Sequence, residues 1–366
     1  MHIVQMLPTI SYGDAVSNDA LALDQILKNQ RHTTSIIAEN IGKNISTKIA
    51  QRYTDSYEPD KNDLLIYHLS TGTKLNTVIK RYNCKKIMIY HNITPMHFFS
   101  DYNPDLAELC RVGREEARQL KDTFDYVLAD SEYNKSELLE MGYTCPIDVL
   151  PILIPFEDYE MKPDNLVLKR YKDDGFTNIL FVGRIAPNKK QEDIITSFYH
   201  YQKNYNSKSR LFIVGSSNGM DRYYNRLKEY TEKLGVENVE FLGHIKFNAI
   251  LAYYKLADIF LCLSEHEGFC VPLVEAMNFN IPIVAYHSSA IKETLGGSGF
   301  LLEDKNPLEV AGVLNKVAVD DELKRTLVEN EKERLKDFDN QRIGKMFLDY
   351  LNKFLKGEIN EKNSIN

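Results

Sequence analysis

Short apolar runs alternate with longer amphipathic stretches along the chain, and this alternation restricts the fold more than any other property of the sequence. In the first half the runs are HIVQML (2–7), SIIAE (35–39), LLIYH (64–68), KIMIYH (86–91), DYVLAD (125–130) and IDVLP (147–151). In the second half they are NILFVG (178–183), RLFIVG (210–215), VEFLG (239–243), DIFLCL (258–263), PIVAY (282–286) and GFLLE (299–303). Helical patterns lie between most of them, near 16–30, 103–121, 132–141, 190–205, 220–234, 247–256 and 271–279. Strands that alternate with helices form parallel sheets covered on both faces. A set of six occurring twice predicts two doubly wound α/β domains.

Residues 151–177 separate the two sets. They hold Pro151, Pro155, Pro163 and the charged stretch KRYKDDG, which is linker chemistry. The expected organisation is a Rossmann-like domain over 1–155, a linker over 156–177, a second Rossmann-like domain over 178–338, and a C-terminal helix over 339–366 that crosses back to the first domain.

Composition narrows the function. The formal net charge is −7. Residues 1–160 carry 16 basic and 23 acidic side chains, so the first half holds the whole excess. A nucleic-acid partner would favour a basic surface, so none is expected. Five scattered cysteines, Cys84, Cys110, Cys145, Cys262 and Cys270, form no CxxC pair. They read as reduced thiols of a cytoplasmic protein and not as disulfides or a zinc site. No apolar run approaches membrane-spanning length.

Ligands of doubly wound sheets bind beyond the carboxyl ends of the strands, so the residues there are the candidates. NILFVG ends at Gly183, followed by Arg184 and Lys189, two cations able to hold a diphosphate; a solvated basic loop is the plainer alternative. RLFIVG ends at Gly215, where a close backbone approach or a simple turn fits equally. The richest segment is SEHEGFCVPLVEAMNFNIPIVA (264–285). It places Glu267 after a strand, Gly268 at a turn, Pro272 in the first turn of a helix, and Glu275 one turn on. Helix starts of this kind suit a phosphate or a sugar oxygen. The eight-residue glutamate spacing recurs four more times in the chain, so its placement carries the information. In the first half, Gly13 and Asp14 follow the first strand, and His68 with Ser70 and His91 with Asn92 and Thr94 follow two others. On the 103–121 helix, Arg111, Arg114, Arg118 and Lys121 share a face that is either solvated or turned to an anionic acceptor. There is no GxGxxG, no P-loop, and no D-x-D at a strand end to hold a metal.

VGRIAPNKK (182–190), FLGHI (241–245), SEHEGFCVPLVEA with its preceding strand, and ADSEYNKSEL (129–138) followed by IDVLP together resemble the GT-B glycosyltransferases, in particular the retaining family 4. YHNITP and GDAVSND resemble mannosyltransferase-like members that build bacterial surface polysaccharides. The resemblance implies two Rossmann-like domains facing a central cleft, and transfer of a sugar from a nucleotide-diphosphate sugar, GDP-mannose first, to a glycan or lipid-linked glycan. It implies retention, no cofactor, no metal, and peripheral contact with the inner membrane face.

The resemblance also distributes roles. Arg184 and Lys189 hold the donor diphosphate, with Gly13, Gly183 and Gly215 at the phosphate loops. Glu267 contacts the transferred sugar, and backbone groups of Gly268, Phe269, Cys270, Val271, Pro272 and Leu273 bind sugar hydroxyls and the distal phosphate. Glu275 takes the ribose hydroxyls, and His91 stands near the reacting carbon. Asp14, His68, Ser70, Asn92, Thr94, Arg114 and Arg118 are the acceptor candidates. Two departures stand out: Cys270 where the family often has Gly, and Asp14 in place of a second adjacent glycine. A sugar-nucleotide epimerase on the same fold and a non-catalytic partner subunit are the alternatives.

Overall fold

A computed structural model describes residues 1–359 of the 366. The strands are β1 (His2–Ile10), β2 (Thr33–Ile41), β3 (Gln51–Arg52), β4 (Leu64–Leu69), β5 (Lys85–Tyr90), β6 (Tyr126–Ala129), β7 (Ile147–Val149), β8 (Thr177–Val182), β9 (Ser209–Val214), β10 (Val239–Gly243), β11 (Ile259–Cys262), β12 (Ile283–Tyr286) and β13 (Phe300–Leu302). The helices are α1 (Ala15–Asn29), α2 (Lys74–Val78), α3 (Pro104–Gln119), α4 (Glu132–Glu140), α5 (Asn165–Tyr171), α6 (Gln191–Asn204), α7 (Asp221–Leu234), α8 (Phe247–Leu256), α9 (Val271–Asn278), α10 (Ile291–Leu295), α11 (Pro307–Val319), α12 (Asp321–Leu335) and α13 (Asn340–Lys356).

All twelve expected strands form, and every strand pairing among the described residues is parallel. The first sheet runs β3-β2-β1-β4-β5-β6-β7 and the second β10-β9-β8-β11-β12-β13. Each therefore reverses direction once, between β1 and β4 in the first and between β8 and β11 in the second. Loops leaving the carboxyl ends of such a strand pair diverge to opposite faces and open a crevice. The central strands explain their own burial: β4 (LLIYHL) and β9 (SRLFIV) are buried at every position. Helix starts follow cap chemistry. Asp14, Ser131, Asp164, Asn306, Asp320 and Asp339 each accept a backbone N–H of the first turn they precede.

The chain divides into two compact units. The first comprises residues 1–96, 105–155 and the chain from Phe338 on; the second comprises 97–104 and 156–337. The stretch expected to be a linker is largely ordered secondary structure: a 3-10 turn over Phe156–Glu160 and then α5. Its prolines and charges mask an Asp164 cap and a buried Tyr171, whose ring meets Phe212 edge-on at 5.0 Å. The 97–104 segment, expected within the first domain, groups with the second unit. β3, α2 and α10 are too short to leave a periodic signal. In the first unit, α13 buries Ile343, Phe347, Leu351 and Phe354, and Phe354 stacks on Tyr126 at 5.8 Å. No helix among the described residues is long and apolar enough to cross a membrane.

Candidate functional site

In the second unit the expected residues gather at the switch point. β8 delivers Gly183 and Arg184; the loop continues through Pro187–Lys189, and Lys190 enters α6 at φ 54°. β11 delivers Ser264 to Cys270. Backbone and side-chain bonds lock the two loops together. Glu265 N–H donates to the Asn188 carbonyl at 2.8 Å, and Asn188 Nδ2 donates to the His266 carbonyl at 3.1 Å. From the far side, Ser289 Oγ accepts the Glu267 N–H at 2.8 Å and Ser288 Oγ donates to the Ser264 carbonyl at 2.6 Å.

Across this frame Lys189 Nζ meets Glu267 Oε2 at 2.5 Å. Both side chains are largely buried, 20% and 9% exposed. Burial alone would lower the lysine, but the charge and hydrogen bond of Glu267, with Cys270 and Cys262, together hold the ammonium above its ordinary range. Arg184 is different. Its carbonyl is held by Gln191 Nε2 at 2.9 Å, while its guanidinium is exposed and has no ion-pair partner among the described residues. The site thus offers one neutralised cation and one available cation.

Gly215 shows why the neighbouring strand end must be bare. Its φ is +153°, and a Cβ there would lie 1.8 Å from the Gly183 carbonyl oxygen. The two strand-end loops touch backbone to backbone. Cys270 occupies a left-handed position, φ 74°, just before α9 and makes no side-chain cap. A non-glycine residue there costs about 1–2 kcal/mol. Pro272 has no N–H, and the Leu273 N–H is already taken by the Cys270 carbonyl at 3.0 Å. Leu273 therefore cannot donate to a ligand as expected. The Val271 N–H has no partner among the described residues and remains the donor at this helix start. Phe269 is 5% exposed.

Glu275 has acquired partners that sequence reasoning missed. Tyr159 Oη donates to its Oε1 at 2.6 Å, and Tyr254 Oη donates to its Oε2. Burial raises its carboxyl, against the pull of the two hydroxyls. Tyr159 lies in the stretch read as linker, and Tyr254 sits on a helix face where an aromatic signals only packing. Neither carried a sequence signal.

In the first unit the strand-end histidines form a buried chain. Gln5 Nε2 donates to the Ala20 carbonyl at 2.9 Å, which turns its Oε1 to His68 Nε2 at 2.9 Å. His68 Nδ1 lies 2.9 Å from His91 Nε2, and His91 Nδ1 lies 2.9 Å from Asp130 Oδ2. The protons can be assigned in sequence. Gln5 Oε1 only accepts, so His68 Nε2 carries a proton. Burial, then the adjacent His91, holds His68 well below its ordinary range. It is neutral, and its Nδ1 accepts from His91 Nε2–H. Burial works against charge on His91, but Asp130, Asp19 and Asp14 raise it above its ordinary range. The remaining proton lies between His91 Nδ1 and Asp130 Oδ2, whose carboxyl burial raises against the pull of His91. Asp19 stands beside them, its carboxyl pushed up to about 7 by burial, with Oδ1 accepting the Leu153 N–H at 2.9 Å.

Both nitrogens of His91 are thus committed within the protein, and its side chain is 1% exposed. That differs from the expected contact with a reacting carbon. Asn92 and Arg114 are also spent internally. Arg114 Nη1 donates to Glu137 Oε1 at 2.9 Å and to the Ile93 carbonyl at 2.8 Å, while Asn92 Nδ2 donates to Glu137 Oε2 at 2.6 Å and Asn134 Oδ1 at 2.8 Å. Arg118 pairs loosely with Glu115 at 3.7 Å. Asp14 is the cap of α1, bonded to the Ser17 N–H and hydroxyl at 3.0 and 2.8 Å, and Gly13 turns the chain at φ 82° with open space around it. Ser70 and Thr94 are half-buried.

Among the described residues, two clusters have metal-type donor atoms within 4.8 Å of one another: Asp19, His68 and His91, and Cys262, Glu267 and Cys270. In the first, both histidine rings are saturated by hydrogen bonds. In the second, the Lys189 ammonium already supplies the positive charge.

Residues 168–334 match the family model described as glycosyl transferases group 1. D-inositol 3-phosphate glycosyltransferase of Corynebacterium jeikeium is 25% identical over 233 residues, 60% of this chain and 54% of that protein. The capsular polysaccharide biosynthesis glycosyltransferase CapM of Staphylococcus aureus is 27% identical over 212 residues, 56% and 53% of the two chains. The chain spans about half the length of the curated relatives it matches. Among solved structures, Anabaena HepE in complex with UDP-glucose superposes with a TM-score of 0.75 at 19% identity, covering 96% of this chain and all of that one. The sucrose-phosphate synthase of Thermosynechococcus elongatus gives 0.76 at 15% identity, covering 98% and 100%. The fold is GT-B: two Rossmann-like parallel-sheet units.

Proposed function

We propose that this chain is a glycosyltransferase that moves a sugar from a nucleotide-diphosphate sugar to a glycan or lipid-linked glycan. The observation that carries the reading is the Lys189–Glu267 pair at 2.5 Å across the switch point of the family-matched unit, with Arg184 exposed beside it. Breaking an anomeric bond releases a diphosphate, and charge grows on it as the bond lengthens. Arg184, Lys189 and the Val271 N–H supply positive potential at that point. Removing one such donor costs about 10²–10³ in turnover.

Glu267, held by Lys189, presents its carboxylate to the sugar hydroxyls. Glu275, oriented by Tyr159 and Tyr254, accepts from the ribose. His91 acts as a positioning residue, through His68 and Asp130. In this reading the acceptor oxygen attacks the face the leaving group departs from. The leaving phosphate oxygen takes its proton, and the anomeric configuration is retained.

GDP-mannose is the first donor to test and a UDP-sugar the second. A name among the relatives, O-antigen chain mannosyltransferase B of Escherichia coli, supports the first. The complex of HepE with UDP-glucose supports the second. Surface polysaccharide is the acceptor class, supported by the CapM name. A thermal-shift panel of nucleoside diphosphates and nucleotide sugars decides the base: a ligand at a hundred-fold excess over its Kd adds about 2.7 kcal/mol. Silence across the whole panel would contradict the reading. Product anomericity by NMR tests retention. Undiminished turnover in EDTA is expected, since protein cations neutralise the diphosphate.

A further inference from the structure

Two thiols lie side by side inside the second unit. Cys262 is the last residue of β11 and Cys270 immediately precedes α9; they are 2% and 7% exposed. Cys262 Sγ donates to Ser264 Oγ at 3.4 Å, and the Cys270 side chain interacts with the Cys262 sulfur. The two sulfurs and a Glu267 oxygen are within 4.8 Å of one another. The Lys189 ammonium is near enough to act on both sulfurs. Cys270 keeps its Cβ at a left-handed φ of 74°, where glycine would sit without strain. The residues between the two thiols are the loop that carries Glu267.

We propose that Cys262 and Cys270 are an oxidative modification site, at which a hydroperoxide converts the dithiol to a disulfide that locks the Glu267 loop. Cys262 is the attacking sulfur. The hydrogen bond from Cys270 brings its thiol below the ordinary range, while the same bond, with burial, pushes Cys270 up. The Cys262 thiolate attacks one peroxide oxygen, the O–O bond breaks, and the hydroxide takes up the proton Cys262 lost and leaves as water. Cys262 is now a sulfenic acid. The Cys270 sulfur attacks the Cys262 sulfur, the S–O bond breaks, and the oxygen leaves with the Cys270 proton as a second water. Two electrons pass from the sulfurs to the peroxide. An S–S bond of about 2.05 Å draws the start of α9 toward β11, and Glu267 and the Val271 N–H lie on the segment that moves. The disulfide stands on this geometry alone; its effect on ligand binding rests on the proposed donor site.

No Lys or Arg lies between Lys255 and Lys292, so one tryptic fragment, 256–292, holds both cysteines. The full chain is treated with hydrogen peroxide, denatured, alkylated and digested. The expected fragment is lighter by two hydrogens and takes no alkyl group, and dithiothreitol reverses both changes. Cys84, Cys110 and Cys145 still alkylate. Cys262→Ser and Cys270→Gly each abolish the loss. A fragment that takes two alkyl groups after peroxide, or a cysteine over-oxidised singly, overturns the site. Binding of GDP and UDP is measured on reduced and oxidised protein, with at least a ten-fold loss expected on oxidation. A disulfide with unchanged binding overturns the coupling. A disulfide in a protein that binds neither nucleotide leaves the thiol site standing and counts against the donor reading.

Discussion

Lys189 and Glu267 are far apart in sequence and meet because two loops leave the same switch point. Each neutralises a charge the other could not hold in a largely buried position. Removing one partner of such a pair leaves an uncompensated charge, which costs about 3 kcal/mol, whereas replacing both with apolar groups costs much less. Lys189→Met is therefore expected to lower stability in urea by about that amount and turnover by about 10²–10³. Lys189→Met combined with Glu267→Leu is expected to recover most of the stability and none of the turnover. A double variant as unstable as the sum of the singles would show that the two side chains act independently. At this scale the sequence was legible only in part. Arg184, Lys189, Glu267 and Glu275 were visible as charges at strand ends. The side chains that hold two of them were not, because Tyr159 and Tyr254, which donate to Glu275, and Ser289, which accepts the Glu267 N–H, are residue types with common structural uses. Arg114 and Asn92 misled for the converse reason: a cation on a helix face and an amide at a strand end look available until tertiary contacts bind them to Glu137.

Elements were the most legible level, since periodicity is set by the buried face and survives any detail of the site. What escaped were the short pieces, and one contact between elements illustrates the reason. Glu331, on α12, is buried, and its Oε1 accepts the Ile283 N–H of β12 at 2.9 Å while its Oε2 finds no partner among the described residues. An acid in a charged helix gives no sign of this. Burial pushes its carboxyl up to about 8, against 4.5 unfolded. The folded state therefore holds a proton that the unfolded state releases above pH 4.5. Stability from this group is complete below that pH, falls as pH rises, and is lost through pH 8. Glu331→Gln keeps the acceptor without the charge. The variant and the parent are expected to have similar Tm at pH 5, with the variant several degrees higher at pH 9; a constant difference across that range would refute the buried acid. A second element-level expectation concerns Gly215. Gly215→Ala forces the β8 and β9 loops apart, since its Cβ would meet the Gly183 carbonyl. Nucleotide binding by calorimetry should weaken at least ten-fold, and wild-type affinity would show that the strand ends need not touch.

At the scale of the molecule, the doubled run of strands foretold two sheets, and the chain changes unit after Pro155. The crossings are subtler. The chain returns to the first unit at Phe338, where α13 supplies Ile343, Phe347, Leu351 and Phe354 to its core, and Asn340 closes both polar groups of Ile154, with Oδ1 accepting its N–H at 3.3 Å and Nδ2 donating to its carbonyl at 2.7 Å. Each unit thus owns a core built from separate stretches of sequence, and each should melt as its own cooperative transition. Two independent perturbations then separate them. A saturating nucleoside diphosphate is expected to stabilise only the unit with the proposed donor site, by about 2.7 kcal/mol at a hundred-fold excess over Kd. A chain truncated after Asp339 loses four buried side chains from the other unit. Burying each is worth about 1.5–3 kcal/mol, and the unit they leave would lose most of a stability of about 5–15 kcal/mol. Scanning calorimetry should show nucleotide raising one peak and truncation lowering or abolishing the other, with the nucleotide shift preserved in the truncated chain. If truncation instead removed the nucleotide-sensitive peak, α13 would belong energetically to the second unit, and the division of the chain argued from its packing would be wrong.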